Sequence, residues 1–292
     1  MSGDHIYSAL SEEHGGDARW AFGTGFTDAL AGVDTTVPEG VDGDDLALYC
    51  QMLGDDALVQ AQRLTDWVTD APELEEEVAL ANIALDLIGQ ARLLLARAGQ
   101  ADGSGRDEDA FAYWRGPEEF RNVHLAEAPR GDFARAILTL LVLSSARLAV
   151  FSRLSSSKDP VLAAVAAKAV NELAYHREYA VSWALRLGDG TPYSHERMVA
   201  AVADVWPLTG ELFATHPVEA RMAAQGVGVD PAEVGQEVHR VLTEVLTAAT
   251  LDAPASFPEP VVAGRQGTHT AELAPLLREM QKVAREHPEA TW

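Results

Sequence analysis

The sequence predicts an all-α protein: a four-helix bundle with additional C-terminal helices. Three observations carry this. Apolar residues recur at helical spacing over four stretches of about 24 to 28 residues, against an average helix of about 11 to 12. No stretch alternates with the period of a strand, and no segment repeats. The breaks fall at pairs such as Asp159-Pro160 and Asp230-Pro231, where an aspartate can satisfy free N–H groups and a proline suits the first turn.

The stretch from Pro72 to Arg97, PELEEEVALANIALDLIGQARLLLAR, organises the rest. Pro72 suits a first turn, Glu73, Glu75, Glu76 and Glu77 favour the positive end of the macrodipole, and Gly99 offers a stop. At 100° per residue, Leu80, Ile83, Leu87 and Leu94 share one side and Ala81, Leu85 and Ile88 another. Between them runs a narrow polar stripe of Asn82, Asp86 and Gln90, spaced i, i+4, i+8. A helix apolar nearly all round is a core helix, so Asp86 is expected to be buried. A buried carboxylate needs a partner or a metal.

Residues 1–43 differ from the rest. They carry Gly15-Gly16, Gly23, Gly25, Gly32, Gly40 and Gly43, eight acidic residues and one basic residue, Arg19. They are expected to form a disordered extension, with a short docking segment around Trp20–Phe26 as the alternative. Residues 44–292 are expected to form one helical domain. Asp44 or Asp45 caps a first helix to about Val68, with Leu46, Tyr49, Leu53, Ala57, Gln60 and Leu64 inward. Residues 99–130 read as a long crossover with short helices near 108–114 and 118–127, as bundles with one non-adjacent connection require. Asp132 caps a third long helix to Leu154, and Asp159-Pro160 opens a fourth that ends near Gly188. Four long helices, two of them polar-striped inside, describe a ferritin-like bundle. Helices near 193–215, 231–249 and 269–286 follow, the last two separated by a Pro/Gly-marked surface loop.

A formal charge of −23 disfavours nucleic acid and anionic membranes as partners. Only Lys158, Lys168 and Lys282 are lysines, a composition that suits a high-salt cytoplasm or reflects codon bias. Cys50 is alone, no basic and apolar leader opens the chain, and no uncharged apolar run reaches about 18 residues. A soluble, cytoplasmic protein is expected.

A di-metal carboxylate site in such a bundle needs a carboxylate on two helices and Glu-x-x-His on the other two. The central helix offers Asp86-Leu-Ile-Gly89, with glycine where histidine should stand. The fourth has Glu172 and His176, but Leu173 three residues before the histidine. The third has Ser144, Ser145 and Arg147 at its middle and no carboxylate; the first can contribute Asp66 or Asp55-Asp56. Asp86 is instead expected to join a buried polar network with Asn82, Gln90, Arg147, Glu172 and His176. The alternative is a protonated Asp86 bonded to Asn82 or Gln90. The other histidines, among them His195, His216, His239, His269 and His287, read as surface or capping residues, since no His-x-x-x-His pair occurs. Tyr175, Tyr179 and Trp183 share a stripe that fits the core or a partner face. Trp206, Leu208, Leu212, Phe213, Leu273, Leu276 and Leu277 are candidates for a subunit interface.

Several motifs resemble, in order, the non-catalytic (C) subunit of phenylacetyl-CoA epoxidase. They are Asp70-Ala-Pro-Glu-Leu through Leu80-Ala-Asn-Ile-Ala-Leu-Asp-Leu-Ile-Gly-Gln-Ala-Arg92; Ala174-Tyr-His-Arg177; Trp183 with Arg186-Leu-Gly-Asp-Gly-Thr191; Gly267-Thr-His-Thr270; Glu279-Met-Gln281; and Trp292. The resemblance covers roughly residues 46–292. It implies a structural subunit with no cofactor of its own, paired with a homologous ferritin-like catalytic subunit that holds di-iron. Electrons would come from a separate reductase, and the reaction opens aerobic phenylacetate catabolism. It also implies that the catalytic subunit's ligand positions fall on Asp66, Asp86, Gly89, Ser144, Leu173 and His176. Gly89, Ser144 and Leu173 cannot usefully ligate, so the site would be a relic. The other readings are an enzyme with a reduced metal site on Asp66, Asp86, Glu172 and His176, and a stand-alone helical binding protein.

Overall fold

The computed structural model describes Leu30 and residues 32–259 and 261–290, and these contain helices and no strand. Four long helices form the bundle: α1 (Gly43–Thr65), α2 (Leu74–Ala101), α5 (Phe133–Leu154) and α6 (Pro160–Gly188). α1 packs along α2, α5 along α6, and α2 against α6. The crossover carries the short helices α3 (Glu108–Tyr113) and α4 (His124–Glu127). α7 (Pro192–Val205), α8 (Pro217–Ala224), α9 (Gly235–Ala248) and α10 (Leu273–Glu286) complete the chain. Aspartates cap the N-termini of α1, α5 and α6: Asp42 accepts from the Asp45 amide, Asp132 from Arg135, and Asp159 from Leu162. Each satisfies an N–H that has no partner within the helix.

The differences from the expected elements have local causes. α2 runs through Gly99 to Ala101. That glycine is a point of close approach and not a stop, because a Cβ there would lie 1.9 Å from the Arg106 carbonyl oxygen. The helix expected over 193–215 breaks after Val205 into a 3₁₀ stretch, Trp206–Phe213, where Pro207 lacks the N–H an α-helix needs. α8 is an addition. His216 caps it by accepting from the Val218 amide, while Glu219 accepts from the His216 amide, a capping box with an uncommon first residue.

Of the extension expected over residues 1–43, the part that is described packs against the helical domain. Val33, Val37 and Val41 lie against the core, Arg97 donates to the Thr35 carbonyl at 2.6 Å, and Gln225 donates to the Gly40 carbonyl at 3.2 Å. Valines spaced four apart gave a signal that the glycine-rich composition masked. Residues 1–29 and 31, with the Trp20–Phe26 segment, lie outside the described residues.

Three buried arginine–aspartate pairs tie distant segments together. Arg97 meets Asp159 with both side chains fully buried; Arg115 meets Asp55 at 2.9 Å; Arg265 meets Asp56 at 2.7 Å. Asp55 also accepts from the Arg121 amide and Asp56 from the Val123 amide, so the crossover is clamped to α1. Burial alone would lower the pKa of Arg265, but the Asp56 and Glu219 carboxylates overcome it and hold that pKa above normal. Breaking one partner of such a pair costs about 3–5 kcal/mol.

The C-terminal elements cover the bundle with their own apolar faces. Trp206, Phe213, Leu273, Leu276 and Leu277 are buried within the chain, and Leu208 and Leu212 pack against the same core. This corrects their reading as an interface. Their apolar area is already used inside the molecule.

Candidate functional site

The positions singled out in the sequence fall into separate groups. Asp66 is the C-cap of α1; its carboxylate lies 3.8 Å from Arg63, and burial pushes its pKa up against that guanidinium. Ser144 is buried on α5 and its hydroxyl bonds the Leu141 carbonyl at 3.3 Å. Leu173 is fully buried among core residues. Gly89 lies mid-helix on α2, half-buried, and a Cβ there would meet no atom within 4 Å. A helix-interior glycine costs about 1 kcal/mol relative to alanine, and at Gly89 no contact within the chain explains it.

Asp86 and His176 do meet. His176 Nε2 lies 3.0 Å from Asp86 Oδ2, with the histidine side chain 1% and the aspartate side chain 38% exposed. The expected full burial of Asp86 is therefore corrected: α2 is not enclosed on all sides, and its polar stripe looks out at one edge. Asn82, one turn earlier, is exposed. His176 Nδ1 is buried and makes no hydrogen bond.

Arg147 forms a second group. Its Nη2 donates to Gln90 Oε1 at 2.9 Å and its Nη1 to the Leu53 carbonyl at 3.0 Å. Gln90 Nε2 in turn donates to Glu172 Oε2 at 3.0 Å, and Lys168 stands 3.6 Å from the same carboxylate. Gln90 is thereby committed to Arg147 and Glu172 and not to Asp86. Arg147 is buried, which pushes its pKa down to about 10; it still carries its charge at neutral pH.

The two groups are neighbouring rungs of one ladder between antiparallel helices. Asp86 and Gln90 are four apart on α2, His176 and Glu172 four apart on α6, so each pair faces across the seam. A third rung lies toward the start of α2. Glu76 Oε2 accepts from the Tyr179 hydroxyl at 2.5 Å and from Trp183 Nε1 at 2.8 Å. Two members of the aromatic stripe therefore turn inward, while Tyr175 stays 51% exposed. Burial, reinforced by the Glu76 carboxylate, raises the Tyr179 pKa.

These donors do not fit a metal. Among the described residues no group of three or more His, Cys, Asp or Glu side chains is placed to hold one. Asp66, Asp86, Glu172 and His176 do not converge: the first belongs with Arg63, the third with Gln90 and Lys168. The buried Arg147 guanidinium supplies a fixed positive charge inside the bundle and opposes a cation nearby.

His269 departs from its expected surface or capping role. Its side chain is 5% exposed, with Nδ1 2.8 Å from Glu127 Oε2 and Nε2 3.0 Å from the Phe120 carbonyl. Both ring nitrogens face acceptors, so the doubly protonated ring satisfies both. Burial lowers its pKa, but the Glu127 carboxylate outweighs that and leaves it raised. Glu127 also accepts from Asn122 and the Thr270 amide, and its own pKa is held low against the cost of burial. The Gly267–Thr270 motif is thus a clamp between the last loop and the crossover. Partners 142 residues apart leave no local spacing to reveal them.

A family described as "Phenylacetic acid catabolic protein" matches residues 33–292. Over 249 residues, 85% of this chain and 100% of the relative, the sequence is 39% identical to the (C) subunit of 1,2-phenylacetyl-CoA epoxidase from Escherichia coli (strain K12).

Proposed function

The chain belongs to the phenylacetic acid catabolic protein family, and from that premise we propose that it is a structural subunit of a multicomponent phenylacetyl-CoA epoxidase. It pairs with a homologous ferritin-like catalytic subunit and stabilises it, without itself being catalytic or holding a cofactor. The observation that carries this reading is the interior. Arg147, Gln90 and Glu172 bond one another inside the bundle, and Gly89, Ser144 and Leu173, on which the resemblance places ligands, offer none.

Oxygen insertion into the aromatic ring of phenylacetyl-CoA then belongs to the partner, where a di-iron group would supply oxygen activation with electrons from a reductase. The residues of this chain hold a rigid bundle: three buried arginine–aspartate pairs and the α2–α6 ladder fix the surface it presents. The net charge of −23 supports a cytoplasmic protein that binds neither nucleic acid nor membrane. Two helices, α2 and α5, are long and apolar enough to cross a membrane by composition alone. Burial within the bundle accounts for most of the α5 window, 72% of which is buried, and for less than half of the α2 window, 44% of which is.

The test is reconstitution. Oxygen consumption dependent on phenylacetyl-CoA and reductase is expected from the catalytic homologue with this chain, and to fall sharply without it. Full activity of the catalytic homologue alone would overturn the structural role.

A further inference from the structure

The outward face of α2 is apolar and uncovered. Leu74, Val78 and Leu85 are 70, 54 and 63% exposed. With half-buried Ala81 and Ile88 and exposed Arg92 they follow a 4-3-4-3-4 spacing, the register of a helix–helix seam. Of the most apolar 18 residues of α2, 44% are buried, against 72% in α5. Gly89 lies on the same face between Leu85 and Arg92. The other glycines inside the long helices have close neighbours, Leu95 at 2.9 Å for Gly54 and Arg106 at 1.9 Å for Gly99, whereas Gly89 has none within 4 Å. Glycine weakens a helix interior, and here its small size serves nothing inside the chain.

We propose that this face docks a long helix of the homologous ferritin-like catalytic subunit, with the backbones closest at Gly89; the inference rests on the pairing proposed above. Charge selects the occupant. Glu75 and Glu77 flank the seam on either side and Asp86 borders it. The cations on this side are already paired within the chain, Arg92 with Glu108 at 3.0 Å and Lys168 with Glu172 at 3.6 Å. Two copies face to face would oppose these carboxylates between chains that each carry −23. The fit is to a different chain whose apolar stripe is bordered by lysine or arginine, with Gly89 admitting a side chain or backbone that any larger residue would displace.

The test titrates the whole chain with the purified catalytic homologue, comparing wild type, Leu85→Arg, Gly89→Leu and Val199→Arg. Val199 is 50% exposed on α7, away from this seam, and serves as the control. The Kd is expected to rise about 30-fold or more for Leu85→Arg and Gly89→Leu, as for a buried anchor, and to stay within about threefold for Val199→Arg. The melting temperature of the isolated chain is expected not to fall with either seam variant, and to rise by about 2–4 °C in Gly89→Ala. Unchanged affinity in both seam variants would overturn the assignment of the face while leaving the pairing intact. Failure of wild type to bind at all would instead remove the pairing, and this proposal with it. A wild-type homodimer dissociated by Gly89→Leu would make the occupant a second copy. A large fall in the melting temperature of isolated Leu85→Arg would show that this chain covers the face itself. Either result overturns the proposal.

Discussion

Replacing Arg147 by alanine is expected to destabilise the isolated chain by about 3–5 kcal/mol, and replacing it by methionine by roughly 0–3 kcal/mol. Arg147 is 4% exposed, and its guanidinium donates to Gln90 and the Leu53 carbonyl at 2.9 and 3.0 Å and lies 4.8 Å from the Phe151 ring centre. Hydrogen bonds from a charged donor contribute about 1.5–3 kcal/mol each. Against them stands the burial of the charge. A pKa lowered from 12.5 to about 10 corresponds to about 3 kcal/mol of cost at about 1.4 kcal/mol per unit. The polar interactions therefore exceed the charge penalty by roughly 0–3 kcal/mol, which is the loss expected for methionine, since it keeps the stem and removes both. Alanine also leaves the stem's volume empty, which by itself costs about 2–5 kcal/mol. At about 2–4 °C per kcal/mol for a chain of this class, the alanine variant is expected to melt roughly 6–20 °C below wild type. Urea unfolding and thermal melts of the three proteins at neutral pH read this directly. An alanine variant within about 1 kcal/mol of wild type, the range of an ordinary surface change, would refute the assignment of Arg147 as a space-filling, bonded element of the interior.

The His269–Glu127 clamp gives the chain a signed pH dependence. The His269 pKa is raised on folding, so its stabilisation is complete below the unfolded value of 6.5 and is lost as pH rises through the folded value. Glu127, whose pKa is lowered, acts in the opposite sense, contributing above its unfolded value of 4.5 and failing as pH falls through the folded one. Melting temperatures of wild type are expected to decline above pH 6.5 more steeply than those of His269→Gln; parallel curves would contradict this. Arg265→Met leaves the Asp56 carboxylate buried without its cation, and urea unfolding is expected to show a loss of about 3–5 kcal/mol. Gly99→Ala places a Cβ against the Arg106 carbonyl oxygen and is expected to cost about 1–3 kcal/mol in thermal melts, the reverse of Gly89→Ala.

The long helices were legible because their signals are local. Asp132 and Asp159-Pro160 mark starts that the structure places within a residue, and apolar runs such as Ile137–Leu143 have room only in a core. What was not legible depends on segments far apart in sequence. Glycine at position 99 reads as a stop unless one knows that the Arg106 carbonyl passes against it, and histidine at 269 reads as surface unless Glu127 is known to lie beside it. The expected burial of Asp86 failed for a related reason. A helix apolar on all sides can face its own bundle on one side and something outside the chain on the other, and periodicity does not distinguish the two. That Gly89, Ser144 and Leu173 offer no ligand was visible from their residue types. The use made of the remaining polar groups, as rungs between α2 and α6, depends on which helices face each other across the bundle and leaves no mark in local spacing.

The most direct test of the structural role is iron content and native mass of the chain purified alone and co-expressed with its ferritin-like catalytic homologue. A structural subunit predicts no iron in the isolated chain and, on co-expression, a stable complex whose iron resides in the partner. A pair of irons bound by the isolated chain would contradict it and return Asp86, Glu172 and His176 to the role of ligands.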